Sequence, residues 1–233
     1  MKKNKQTLTK TLIIMMSFIM PSQSFLAQVS SYANWNTEEL NTAEHADYLS
    51  EIEKEIIIEI NMVRTNPGKY AQDFVKPLLE FYQGLYFRYP GQVPMVTAEG
   101  KSALLDCIDA LEETTATDIL YPSKGLSKAS EELLSDQSVS GNLGHTGKDG
   151  SNPFERMSKY GKWVSSAAEN IDYGNNTARW VVLSLLIDDG VPGRGHRKNL
   201  LSPSMGKIGL AFGTHPSYGN MCVMDLASDY IEK

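Results

Sequence analysis

The sequence predicts an α+β fold: a small, mostly antiparallel sheet covered on both sides by helices in a three-layer α-β-α sandwich. Three observations lead there. Apolar residues recur at helical spacing up to about residue 160, alternate singly over Ala167 to Tyr173, and alternate again over about 207–213 and 219–227. The run Trp180 to Ile187 is apolar nearly all round, as in a helix buried between layers. In the first closing run Ile208, Leu210 and Phe212 form a large-residue face. Gly209, Ala211 and Gly213 form a small one, against which another layer can lie close.

The elements follow in chain order. Lys2, Lys3, Lys5 and Lys10 precede the apolar run Leu12 to Met20, which is too short to span a bilayer and ends at Pro21. Residues 1–24 therefore read as a secretory signal peptide, with cleavage after Ala27 as the alternative. Residues 28–48 are polar and turn-rich, and a flexible lead-in is expected there, followed by one domain over 49–230. Ser50 and Glu53 have capping-box spacing ahead of a helix whose face carries Ile52, Ile56, Ile60 and Val63. Asn66-Pro67 breaks it and starts a second helix through Tyr70, Phe74 and Leu78; Tyr82 to Pro94 reads as a surface loop. Helices are expected at about 98–113 and 126–139, and a short one from Pro153 to Tyr160 with Gly161 past its end.

Bulk properties narrow the function. The formal charge is -6 at neutral pH, and the leader would remove four lysines and no acid. An acidic exported chain lacks the basic face that nucleic acid needs, and no membrane span is expected after signal removal. Cys107 and Cys222, the two cysteines, lie in apolar patterns that suit two buried free thiols at least as well as a bridge, and the sequence leaves their pairing open.

Two histidines and three acids stand out. Glu169 shares a strand face with Ala167 and Ile171, so its carboxylate points inward and needs backbone amides or a cation such as Arg197. Asp188 and Asp189 end an apolar helix, where partial negative charge disfavours carboxylates, although a turn before Gly190 accounts for one of them. His145 and His196 follow glycines in loops. No His-Glu-x-x-His, no Gly-x-Ser-x-Gly and no exposed cysteine completes a familiar catalytic set.

The stretch His145-Thr146-Gly147-x-Asp149-Gly150-Ser151-x-Pro153-Phe154-x-Arg156-Met157 resembles a bacterial member of the CAP superfamily, the SCP-like extracellular domain. That group includes the cysteine-rich secretory proteins, antigen 5 and plant pathogenesis-related proteins. Glu169-Asn170-Ile171, Gly195-His196-Arg197-x-Asn199-Leu200-Leu201 and Met221-Cys222-Val223-Met224-Asp225 are similar to its later motifs, with Ala168 in place of the usual glycine. The resemblance implies the α-β-α sandwich and a cleft of two histidines and two acids. By position these are His145, His196, Glu169 and Asp188, with Asp189 as the alternative. It implies that His145 and His196 are the ligands where a divalent metal such as zinc binds, although no cofactor is certain. The function expected is an exported module, extracellular or periplasmic, that binds a small molecule, lipid or protein without catalysis. The rival is a metal-dependent hydrolase with Glu169 or Asp188 as general base.

Overall fold

In this computed structural model, which describes residue 32 and residues 34–233, the chain enters its first helical layer at α1 (Thr37–Leu40) and α2 (Glu51–Thr65). The signal-peptide reading lies outside the described residues. Asn36–Lys233 form one unit. The expected loose lead-in is anchored where it is described: Leu40, Ala43, Ala46 and Leu49 are all buried. Asn61 ties it to α2, donating from Nδ2 to the Leu40 carbonyl at 2.9 Å and accepting from the Leu120 amide at 2.8 Å. Small apolar anchors three residues apart were masked by the polar residues between them.

Glu53 closes the predicted capping box by accepting from the Ser50 amide at 2.7 Å. Its other oxygen accepts from the Phe212 amide at 2.8 Å, so the helix start is fastened to the sheet. Ile56, Ile57, Ile60 and Val63 are fully buried. Arg64, buried in the last turn of the helix, donates to the carbonyls of Asp118, Leu200, Ser202 and Met205 at 2.7–3.0 Å.

α3 (Pro67–Tyr70) follows Asn66-Pro67 as expected, but passes into a π-helical turn at 71–75 and a 3-10 segment at 76–81, where Pro77 removes a backbone donor. The expected surface loop is instead a three-stranded antiparallel patch: β1 (Tyr82–Gln83), β2 (Tyr86–Phe87) and β3 (Met95–Val96). Tyr82 and Phe87, directly paired and with ring centroids 4.8 Å apart, supply the cross-strand contact that composition alone did not reveal.

The remaining elements are α4 (Lys101–Glu113), β4 (Tyr121–Pro122), α5 (Lys124–Ser140), α6 (Pro153–Tyr160), β5 (Gly161–Trp163), β6 (Ala167–Tyr173), α7 (Ala178–Ile187), α8 (Gly195–Leu201), β7 (Lys207–His215), β8 (Gly219–Ala227) and β9 (Tyr230–Glu232). The central sheet runs β4-β7-β8-β6, parallel between β4 and β7 and antiparallel elsewhere. α5 lies on the Gly209–Ala211–Gly213 face, so close that a Cβ at Gly209 would sit 2.1 Å from the Leu126 carbonyl carbon. α2 and α7 cover the other face, completing the α-β-α sandwich. β9 pairs with β5, and Glu232 accepts from Ser123 Oγ and the Gly125 amide, capping the start of α5.

Candidate functional site

β6 is an edge strand, and two histidine–acid pairs meet it from opposite faces. Glu169 and Asn170 are consecutive, so their side chains leave on opposite sides. On the α5 face, His145 Nδ1 lies 2.8 Å from Glu169 Oε1. On the other, Asn170 Nδ2 donates to the His196 carbonyl at 3.0 Å and Asn199 Nδ2 donates to Asn170 Oδ1 at 2.8 Å. His196 Nδ1 is 2.6 Å from Asp188 Oδ1, and the His196 amide donates to Asp188 Oδ2 at 3.0 Å. A carboxylate only accepts, so each ring carries its hydrogen on Nδ1 and leaves Nε2 as the unprotonated nitrogen when neutral.

Each histidine is held by a built loop. Gly141 ends α5 in the left-handed region (φ 70°), and Gly144 repeats that conformation (φ 87°) immediately before His145. Tyr173 and Gln137 grip Gly144: its amide donates to Tyr173 Oη, its carbonyl accepts from Gln137 Nε2, and Tyr173 donates to Gln137 Oε1. Arg156 finishes the clamp, donating to the carbonyls of His145 and Ser151 and, at 2.6 Å, to Glu169 Oε2. The cation beneath Glu169 is thus Arg156, while Arg197, considered for that place, pairs with Asp106 instead.

The other loop is strained. Asp188 (φ 55°) and Arg194 (φ 54°) are the described non-glycine residues with positive φ, and they bracket the turn that delivers His196. Arg194 holds that turn through both oxygens of Glu99 and the Asp188 carbonyl. Asp189, included among the expected cleft acids, is turned elsewhere: it accepts from the amides of Ala98 and Glu99 ahead of α4. The left-handed conformation at Asp188 directs the two side chains apart.

Two buried acids stand close to these pairs. Asp225, paired with Glu169 across β6 and β8, is fully buried, and that burial together with the Glu169 charge holds its carboxyl well above the usual range. Asp172, two residues beyond Asn170 on the same face, is pushed up to about 6 by burial, an effect opposed by Ser184, Asn175 and His196. Asp106, outside the pairs, is held below its ordinary value by Arg197. Asp225 and Arg156 lie within quoted motifs, but nothing in their spacing assigned them a role. Asn170 and Asn199 also lay in those motifs, and the only signal for them was their place beside Glu169 and after His196.

Both cysteines are free and buried. Burial raises Cys107 to about 11 and Cys222 well above its ordinary value, so neither offers a thiolate. A groove of about 990 Å³ runs between α4 and α8, lined by Asp106, Arg194, Arg197 and Leu201 among others, but neither histidine lines it. Its charged groups largely pair with one another, Glu99 with Arg194 and Asp106 with Arg197.

A family model described as the cysteine-rich secretory protein family, CAP, matches residues 87–226. No curated protein matches the chain. Among solved structures, an outer surface protein from Borrelia burgdorferi is similar over 50% of this chain and 80% of its own, at 20% identity and a TM-score of 0.41. An extracellular protein containing an SCP domain, from Bacillus anthracis, is similar over 50% of this chain and 35% of its own, at 16% identity and a TM-score of 0.38.

Proposed function

The chain belongs to the cysteine-rich secretory protein (CAP) family, and from that premise we propose that it is an exported binding module whose cleft presents His145 and His196 to a small molecule, lipid or protein surface. One observation carries this reading: both acids are fully engaged in holding the imidazoles. Glu169 accepts from His145 and Arg156, and Asp188 accepts from the ring and the amide of His196. Acids so occupied orient a recognition group and are poorly placed to take a proton from a substrate. The rings themselves reach the surface, with 49% of the His145 side chain and 24% of the His196 side chain exposed. Among the described residues, no serine, threonine or cysteine hydrogen-bonds to either ring, and none of their helices is long and apolar enough to cross a membrane.

Zinc is held by imidazole, thiolate or carboxylate donors in a fixed geometry. A carboxylate on Nδ1 is the usual second partner of a metal-bound imidazole, and Nε2 of His145 and of His196 would be the ligating atoms. Catalytic zinc usually takes three protein ligands. Among the described residues no set of three or more His, Cys, Asp and Glu side chains is arranged to hold an ion. The residues therefore fit, at most, two imidazole donors, one protein ligand short of the usual catalytic zinc set.

The test is a titration of the purified chain with zinc chloride and, separately, with phospholipid vesicles, followed on the imidazole resonances of both histidines. Binding is expected to perturb Nε2 and to disappear in His145→Ala and His196→Ala. Zinc-dependent cleavage of a generic protein substrate, lost in Glu169→Gln, would establish the hydrolase instead. A cluster that only ties loops together would lose stability in His196→Ala with no binding to lose.

A further inference from the structure

Across the sheet face covered by α5, one row runs Gly209, Asp225, Glu169, the first two paired through β7 and β8 and the last two through β8 and β6. The glycine lets α5 settle onto this row and seal it, leaving Asp225 fully buried. Asp225 Oδ2 accepts from Ser130 Oγ at 3.0 Å. Its Oδ1 is buried and meets no donor, and its cross-strand neighbour on this face is Glu169. Two ionised carboxylates cannot satisfy one another, because both only accept; one proton between them satisfies both.

Charge balance agrees. Arg156, itself 1% exposed, is the guanidinium bonded to this cluster. With both acids ionised the sealed row would hold an uncompensated negative charge, whereas one proton leaves a single carboxylate against a single guanidinium. That proton belongs on Asp225. Glu169 already accepts N–H bonds from Arg156 and His145, whereas Asp225, the more deeply buried of the two, accepts from one hydroxyl.

We propose that Asp225 is a positioning residue of the cleft: it carries a proton at neutral pH and donates it to Glu169, which holds Glu169 as the acceptor for His145 Nδ1–H and presents His145 Nε2 at the opening. The groups facing Asp225 are Glu169 from β6, Arg156 from α6 and Ser130 from α5. Burial and the Glu169 charge, which raise its carboxyl, act in the same direction. The inference rests on reading His145 as a cleft residue, but it predicts a protonation state and a tautomer, both measurable without any ligand.

The experiment uses the full chain labelled with ¹³C at aspartate carboxyls and ¹⁵N in the imidazoles, the Asp225 signal being assigned by its absence in Asp225→Asn. The Asp225 carboxyl is expected to show a protonated-acid shift at neutral pH, where an ordinary aspartate is ionised. A carboxylate shift at neutral pH overturns the proposal, and this measurement needs no variant to fold in native form. In Asp225→Asn the amide still donates to Glu169, and His145 is expected to keep its single Nδ1–H tautomer. In Asp225→Ala the donor is lost, and the other tautomer should rise to about a tenth of the population or more. A folded Asp225→Ala protein that keeps the single tautomer also overturns the proposal. Failure of zinc or vesicles to bind, with these results intact, would count against the binding function alone.

Discussion

Asp188 shows how a single residue is held against its local preferences. It sits at the carboxyl end of α7, where the helix dipole disfavours a carboxylate, and in a left-handed conformation that costs a non-glycine residue about 1 kcal/mol or more. Two hydrogen bonds to the same partner, His196, offset both terms. Asp188→Ala is therefore expected to lower stability by about 1–3 kcal/mol in urea denaturation and to release the His196 ring, visible as averaging of its resonances. Asp172 carries a pH prediction. Its folded value of about 6 lies above the ordinary 3.8, so the folded state holds this proton more tightly than the unfolded chain. Its contribution is complete below the ordinary value and is lost as pH rises through about 6. Denaturation midpoints should fall across that window in the native sequence and fall less in Asp172→Asn. Sequence periodicity pointed Glu169 inward, and motif order singled out the two histidines. It assigned no task to Arg156 or Asp225, because their partners are adjacent only across the folded sheet.

At the scale of elements, the small face of β7 was legible and its consequence is sharp. A Cβ at Gly209 would meet α5 backbone, which cannot move without displacing the helix, whereas one at Gly213 would meet the tip of Leu134 at 3.0 Å. Gly209→Ala is expected to destabilise by more than about 2 kcal/mol and Gly213→Ala by distinctly less, compared by thermal melting. Equal effects would mean that α5 is not seated on β7 as described. The capping box of α2 and the proline start of α6 were likewise readable, since capping depends on residues three apart. The β1–β3 patch was not, because strands of two residues are too short to display a period and depend on which aromatics meet across the turn.

For the molecule as a whole, the core is closed by packing rather than cross-linking. Cys107 and Cys222 are buried free thiols. Reductant should leave the thermal midpoint unchanged, and a thiol reagent should label neither cysteine until the protein unfolds; a reductant-dependent melt would reveal a bridge. The termini of the described unit contribute too. Leu40, Ala43, Ala46 and Leu49 dock before α2, and Glu232 caps α5 from the last strand, so both ends are structural.

The sequence by itself determined the α+β class, the order of most helices and strands, and the motifs that mark the CAP family, and it singled out His145, Glu169 and His196 as candidates. Those properties reside in short-range periodicity and local spacing, which a linear chain displays. Only the tertiary structure decided that Asp188 and not Asp189 holds His196, that Arg156 and not Arg197 supports Glu169, and that Asp225 lies beneath the first pair. These depend on backbone handedness at one turn and on strand register between distant segments. Such long-range relations arise when burial forces polar groups to find partners, and the order of residues along the chain does not encode which partner each will find.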